Sequence, residues 1–356
     1  MRDPWSESDL VRKFRELAES SLPRAPLNAE LARTIASAPS LSSMLGSAPV
    51  NQQSPVLMLA AIHFLVLAEP DSDLAEWYPN LTSDHRAAAD PALRTTLQAF
   101  VEERAPSMFQ LLTTRRTQTN EVGRCGVLLP PMSVIADEVG GPLVHVDVGT
   151  SGGLNLLLPR FAYRYGDRPT IGASEVLLEV GVRGGGPTPE EIPPVASSVG
   201  LDSAPIDVTD PIEARWLEAC CWPDQADRFH RLRSAIELAA VHPPEIVDAD
   251  AVTGVATVIG DRRDLGHPVV TTTWVMSYLS GEQRHEFLAE LELVGAELDL
   301  SWIAAESPAQ TPELPHHPDL AGEHLTELTL TSWRAGERSV EHLGTCHPHG
   351  YWIHWR

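Results

Sequence analysis

The chain has 356 residues, 26 lysines and arginines against 49 aspartates and glutamates, and 43% hydrophobic residues, enough for one large domain or two ordinary ones with real cores. Its formal net charge of −23 penalises a phosphate-tracking groove and an anionic membrane surface, so neither nucleic acid nor membrane is expected as a partner. Lys13 is the only lysine, which removes phosphate-loop, kinase and Schiff-base chemistry, each of which needs a lysine in its site.

Residues 1 to about 140 carry apolar side chains at three- and four-residue spacing between polar starts and Pro or Gly stops. This predicts consecutive helices at 8–20, 28–44, 55–68 and 91–104. The stretch MRDPWSESDLVRK has no apolar core for a signal peptide, so no targeting is expected. The apolar run 55–68 is too short to span a bilayer, and His63 within it reads as a hydrogen-bonded core histidine. From 142 the pattern changes. Short β-branched runs at 143–149, 197–202, 244–250, 267–275 and 296–306 alternate with helical material, which predicts a parallel sheet covered on both faces. Two further runs, 324–333 and 350–355, joined by a polar turn around 335–338, predict a terminal antiparallel hairpin. The stretch 161–196 reads as an insertion, a strand or hairpin with a Pro/Gly loop. Cys125, Cys220, Cys221 and Cys346 show no framework spacing, so reduced thiols in a cytoplasmic protein are expected. Trp216 and Trp222, beside Cys220 and Cys221, read as core.

A strand ending in Asp147 turns through Gly149, Thr150, Ser151, Gly152 and Gly153 to Asn155. Small residues there let a ligand approach the backbone at a helix start, and a tight turn without a ligand is the plain alternative. Two later strand ends also carry acids. Asp202 closes Gly200-Leu201-Asp202, where a nucleoside binder holds ribose hydroxyls, and Asp250, before Ala251, is placed to accept from an adenine amino group. The turn does not fit the G-x-G-x-x-G of dinucleotide enzymes.

The order D-x-G-x-S-x-G, G-x-D, D-A and a terminal hairpin resembles the class I S-adenosylmethionine-dependent methyltransferase fold. Over nearly its full length the chain is more closely similar to the bacterial domain-of-unknown-function 2332 family. The segments carrying this are AAIHFLVL (60–67), TQTNEVGRC (117–125), DVGTSGGLNLL (147–157), VGLDSAPIDVTDP (199–211), ARWLEACCWPDQADR (214–228) and HPHG (347–350). That family brings no established reaction. The methyltransferase resemblance implies an α/β Rossmann-like S-adenosylmethionine-binding domain over 141–356, with the insertion at about 161–196, and a helical region over 1–140 on the substrate side of the sheet. It also implies that Asp147, Gly149, Ser151, Gly153 and Asn155 surround the methionine part of the cofactor, Asp202 takes the ribose, and Asp250 with Ala251 takes the adenine edge. Two departures stand. Ser151 replaces the usual middle glycine, and Asp202 follows Asp147 by 55 residues where about 20 is ordinary. Either the insertion lengthens the crossover, or SEVLLEVGV, with Glu179, is the second strand.

A last strand running against the others starts at the carboxyl edge, where open parallel sheets bind ligands. His349, or else His347, in His347-Pro348-His349-Gly350 is therefore a candidate general base, against the alternative of a polar turn. A metal reading of Cys346, His347, His349 and His354 lacks ligand spacing, and no metal is expected. In the block 117–124, Arg124 suits a carboxylate of the cofactor, and Asn120 and Glu121 suit the acceptor; a capped helix start is the equal alternative. Tyr278 is a third acceptor-side candidate, in a loop without the Asn/Asp-Pro-Pro-Tyr signature of amino-group DNA methyltransferases. The expectation is methyl transfer from S-adenosylmethionine to a small-molecule acceptor, the protein supplying mainly orientation and desolvation. The rival is a catalytically silent nucleoside-binding or interaction protein that keeps the fold.

Overall fold

The computed structural model describes residues 5–320 and 325–356; the first four residues, and His324 at the head of one expected strand, lie outside these. The described residues up to Thr119 form one compact unit with Asp210–Arg233, and Asn120–Thr209 with the described part of Ser234–Arg356 form a second. Helices α1 (Glu7–Ser21), α2 (Pro26–Ala36), α3 (Pro39–Ser42), α4 (Pro55–Ala68), α5 (Ala92–Glu103) and α6 (Ala105–Thr114) belong to the first. Helix α7 (Cys125–Val139) opens the second, α8 (Pro211–Ala219) returns to the first, and the boundary divides α9 (Ala226–Val241). Helices α10 (Ala251–Gly260) and α11 (Gly281–Glu297) lie in the second.

Local chemistry sets the helix ends. A reciprocal capping box of Ser6 and Asp9 starts α1. The expected helix 28–44 breaks because Pro39 forces Ala38 into an extended conformation (φ −123°, ψ 95°). Helix α4 is apolar on every side and buried along most of its length. His63 within it donates from Nδ1 to the Ala219 carbonyl (3.1 Å) and accepts at Nε2 from the Asn80 amide (3.0 Å). Burial pushes its pKa down to about 4, so it is a neutral core histidine, as the sequence suggested. Trp216 is likewise buried, its indole N–H on the Arg116 carbonyl.

The second unit holds one sheet. Its strands are β1 (Leu143–Val148), β2 (Ala162–Tyr165), β3 (Leu177–Arg183), β4 (Val195–Asp202), β5 (Ile246–Asp248), β6 (His267–Thr273), β7 (Leu300–Glu306), β8 (Thr326–Arg334), β9 (Glu337–Cys346) and β10 (Trp352–Trp355). They lie in the order β2-β3-β10-β9-β8-β7-β6-β1-β4-β5. The block β5-β4-β1-β6-β7 is parallel throughout, whereas β7 to β10 form an antiparallel meander. The architecture is thus mixed α/β with a mostly parallel sheet. Strand β1 is buried along its whole length. Alternation sends Val144, Val146 and Val148 to one face, where they join Val199, Leu201, Val270 and Trp302 beneath Val255 of α10 and Phe287 of α11. Each such side chain contributes about 1.5–3 kcal/mol on burial. The opposite face of β1 carries His145 and Asp147.

Three expectations are corrected. The terminal hairpin is a meander: β8 turns at Ala335-Gly336 into β9, pairing from Thr326 opposite Cys346 to Arg334 opposite Glu337, and β10 pairs with β9 rather than with β8. Strand β9 escapes notice because its first half is exposed and polar, ERSVEH, rather than β-branched. The insertion, expected to hold a strand or a hairpin, contributes two parallel strands, β2 and β3, and β3 continues the sheet beside β10. The glycine turn leads into a 3₁₀ segment (Leu154–Arg160) rather than an α-helix. Since β4 is the strand beside β1, Asp202 holds the second-strand end, and Glu179 lies exposed on β3, paired with Arg164.

Gly149 adopts φ +71°, and a Cβ there would stand 2.0 Å from Val275 Cγ2. Gly149→Ala should therefore cost about 1–3 kcal/mol of unfolding free energy, from backbone strain and overpacking. In urea titrations the Gly149→Ala/Val275→Ala chain should lose less than the sum of the two single losses, because the collision is shared; additive losses would exclude that contact.

Candidate functional site

Within the parallel block β1 lies between β4 on one side and β6 on the other, and the chain runs outward from β4 to β5 before it returns to β6, a reversal of strand order at whose carboxyl ends open α/β sheets bind ligands. Asp147 stands at this point, 2% exposed. Its Oδ2 accepts from the Thr150 hydroxyl (2.9 Å) and its Oδ1 from the Thr271 hydroxyl of β6 (2.7 Å). Thr271 gives its only hydroxyl proton to Asp147, so it accepts from His145 Nε2–H at 2.9 Å, which fixes the histidine tautomer. Burial pushes Asp147 up to about 6, the two hydroxyls and Arg124 pulling the other way. Burial also drives His145 down to about 4. The pair therefore consists of a neutral imidazole and a carboxyl that titrates near pH 6.

The turn itself is held by acids and amides. Ser151 sits in the left-handed region (φ 56°), its N–H donating to Asp202 Oδ2 at 2.7 Å while Asp202 Oδ1 accepts from Ala204 N–H at 2.9 Å. The Ser151 hydroxyl is buried and has no hydrogen-bond partner among the described residues. Asn120 Oδ1 accepts the Leu154 N–H (3.0 Å), which ties the polar block to the turn. Asn155 faces the buried Cys125 thiol, which burial pushes well above its usual range.

Two segments far apart in sequence interlock here. A Cβ on Gly123 would lie 2.3 Å from the His349 carbonyl oxygen, and one on Gly350 1.8 Å from the Gly123 carbonyl oxygen, so the backbones touch. Strand β9 runs in the sense of β7, which brings His347–Gly350 to the carboxyl edge. Arg124 donates from Nε to the Pro348 carbonyl (2.9 Å) and from Nη1 to the Thr273 carbonyl (2.7 Å). Buried Glu121 accepts the Gly123 N–H at Oε1, and its Oε2 lies 3.2 Å from His349 Nδ1. His347 Nδ1 accepts the His349 N–H at 3.0 Å.

Three further expected site residues stand just after the ends of β5 and β6. Asp250 is exposed and caps α10, accepting the Val252 N–H at 2.9 Å, and Ala251 is the first residue of that helix. Tyr278 is 82% exposed at the end of a short turn after β6.

Sequence reasoning passed over Thr271, Glu306 and Ser307. Glu306 ends β7 and is 1% exposed. It accepts the Val275 and Met276 N–H groups at Oε1 (3.2 and 3.3 Å), and burial pushes it up to about 7. The signal was present, since an acid ends this strand as Asp147 and Asp202 end theirs. Across the ladder Glu327 pairs with Glu306 in register and is surrounded by His316 Nδ1 (3.0 Å), the His317 N–H (2.9 Å) and His342 Nδ1 (3.2 Å). His316 also directs Nε2 at the Thr311 carbonyl (2.6 Å). Both of its nitrogens face acceptors, and its pKa is raised, burial lowering it but the bonds to Glu327 and Thr311 outweighing that.

The chain belongs to the bacterial family described as domain of unknown function 2332, an uncharacterized protein conserved in bacteria, which it matches over residues 11–355. No curated protein and no solved structure matches it. Among the described residues no helix is long and apolar enough to cross a membrane, and no group of three His, Cys, Asp or Glu is arranged to hold a metal ion.

Because Glu306 keeps its proton in the folded state to about pH 7 and releases it near 4.5 when unfolded, it lowers stability progressively as pH rises between those values. Glu306→Gln removes this effect. The stability of the variant minus that of the parent chain should rise from pH 4.5 to about 7 by on the order of 3 kcal/mol and then level off. Urea unfolding across pH 4.5–8 measures it, and a flat difference would contradict the buried-carboxyl assignment.

Proposed function

We propose that this protein binds S-adenosylmethionine over the turn after β1 and transfers its methyl group to a small-molecule acceptor. The observation that carries the reading is the unpartnered, buried Ser151 hydroxyl on a left-handed turn, bracketed by Asp147 and Asp202 at the ends of adjacent parallel strands. A buried polar atom without a partner is costly, and a ligand that reaches it removes that cost. The residues present fit the methionine and ribose ends of such a ligand. Each Asp147 oxygen keeps a lone pair for an ammonium, Arg124 suits a carboxylate, and each Asp202 oxygen can still accept from a ribose hydroxyl. Asp250 and Ala251 stand beyond β5 for the adenine edge.

When bound, the sulfonium supplies an electrophilic methyl group. The chain's own part is to orient, to exclude water and to receive a proton. His349 receives it at Nε2, while Glu121 faces the other ring nitrogen; catalytic contacts of this kind are often loosely aligned before substrate arrives. Asn120 fixes the turn against the polar block, and Tyr278 offers an exposed aromatic face to the acceptor.

Incubation of the full chain with S-adenosylmethionine and the small-molecule fraction of a bacterial extract should release S-adenosylhomocysteine. His349→Ala should slow release about a hundredfold or more. Binding with the cofactor left intact would replace the transferase reading with that of a nucleoside-binding protein.

A further inference from the structure

We propose that Glu306 is a positioning residue for the glycine turn: its carboxylate fixes the backbone at 274–276, Val275 transmits that placement to Gly149, and a ligand over Gly149 is held more tightly when Glu306 carries its charge. This rests on the methyl-transfer reading for the ligand and adds a regulation of the same site. Trp274, the first residue after β6, has φ +58°, a left-handed conformation that is costly for a bulky side chain. Val275 follows in the right-handed region (φ −105°, ψ −34°). Alternation of this kind turns successive amides toward one point and makes an anion-binding concavity. Here the Val275 and Met276 N–H groups converge on Glu306 Oε1 at 3.2 and 3.3 Å. The Thr272 side chain hydrogen-bonds to the same carboxyl, and because its oxygen already accepts the Trp302 indole N–H (3.1 Å), its own proton goes to Glu306. The acid is therefore fully engaged in holding protein groups. The Val275 side chain carries this to the site, since a Cβ on Gly149 would stand 2.0 Å from Val275 Cγ2. Any shift at 274–276 thus moves the wall against which Gly149 is seated.

A glutamine in this place could accept the same two amides without titrating. Glu306 instead lowers stability wherever it is ionised, because burial pushes its pKa up to about 7. What the carboxylate adds is strength, since a charged acceptor holds an N–H more firmly than a neutral one. Three charged or titratable groups face it from neighbouring segments. Arg124, before α7, favours its ionisation, Glu327 stands opposite it in the ladder on β8, and His316, in the segment after β7, has its protonated form favoured by Glu306. Arg124 also favours ionisation of Asp147, which titrates near pH 6, so the turn has a second pH dependence of its own. Comparison with the isosteric glutamine at each pH separates the two, because Asp147 is common to both chains.

The test measures S-adenosylhomocysteine affinity by calorimetry for the full chain and its Glu306→Gln variant from pH 6 to pH 8. The ratio of the variant's dissociation constant to the parent's should lie near one at pH 6 and rise to about tenfold at pH 8, while the variant is the more stable of the two in urea at pH 8. Weaker binding by the more stable chain is what support of the fold alone would not produce. In a Val275→Ala background the same substitution should change affinity by no more than about threefold, because the path to Gly149 is cut. A ratio that stays flat across the pH range, or an undiminished rise in the Val275→Ala background, would overturn the proposal. Absence of S-adenosylhomocysteine binding at every pH would contradict the methyl-transfer reading alone, and hydrogen exchange of the ligand-free chains then decides the positioning role. At pH 8 Glu306→Gln should speed exchange in residues 149–155 and 274–278 but not in 252–259 of α10. Equal protection of the glycine turn in the two chains would overturn it.

Discussion

Asp147 is the junction on which the rest of the site depends. Its two oxygens take the hydroxyls of Thr150 on the turn and Thr271 on the neighbouring strand, so one buried carboxyl fixes the end of β1, the start of the glycine turn and the end of β6 relative to one another. A buried carboxylate is tolerated only when hydrogen-bonded, and these two hydroxyls meet that need without neutralising it. The group is left titrating near pH 6, with His145 beneath it as a neutral donor to Thr271. Asp202 performs the same office one strand away, where its carboxylate anchors the Ser151 amide and keeps a non-glycine residue in a left-handed conformation that costs of order 1–3 kcal/mol.

The second constraint is backbone contact. Gly123 and Gly350 meet so closely that neither tolerates a side chain, and this brings Glu121 to His349 and Arg124 to the Pro348 carbonyl. Arg124 then reaches the end of β6 through the Thr273 carbonyl. The polar block before α7, the loop between β9 and β10, and the ends of β1 and β6 thus converge by a few directional bonds to backbone oxygens rather than by apolar packing.

Much of this was legible in the sequence, for identifiable reasons. The parallel strands announced themselves because strands buried on both faces must be continuously apolar and β-branched, as in LVHVDV and HPVVTTT. His63 was legible as core from its apolar helix. Strand β9 was not, because half of it faces water and its pairing with β8 is set by the Ala335-Gly336 turn and the ladder, neither of which is an apolar pattern. The parallel sense of β2 and β3 depends on β10, more than 150 residues later, and no local signal carries that. Asp147, Asp202, Glu121, Arg124 and His349 could be nominated singly from strand ends and turns, but their partnership could not. Thr271 and Glu306 were missed because a threonine in a β-branched run and an acid at a strand end each have ordinary structural readings.

The account turns on whether the crevice beyond β1 binds a sulfur nucleoside. A thermal-shift titration of the full chain with S-adenosylmethionine, S-adenosylhomocysteine and NAD side by side tests it most directly. Each of the two sulfur nucleosides, at about 100 times its dissociation constant, should add roughly 2.7 kcal/mol and raise the midpoint visibly, and NAD should leave it unchanged. No response to either sulfur nucleoside, or a response to NAD alone, would contradict the account.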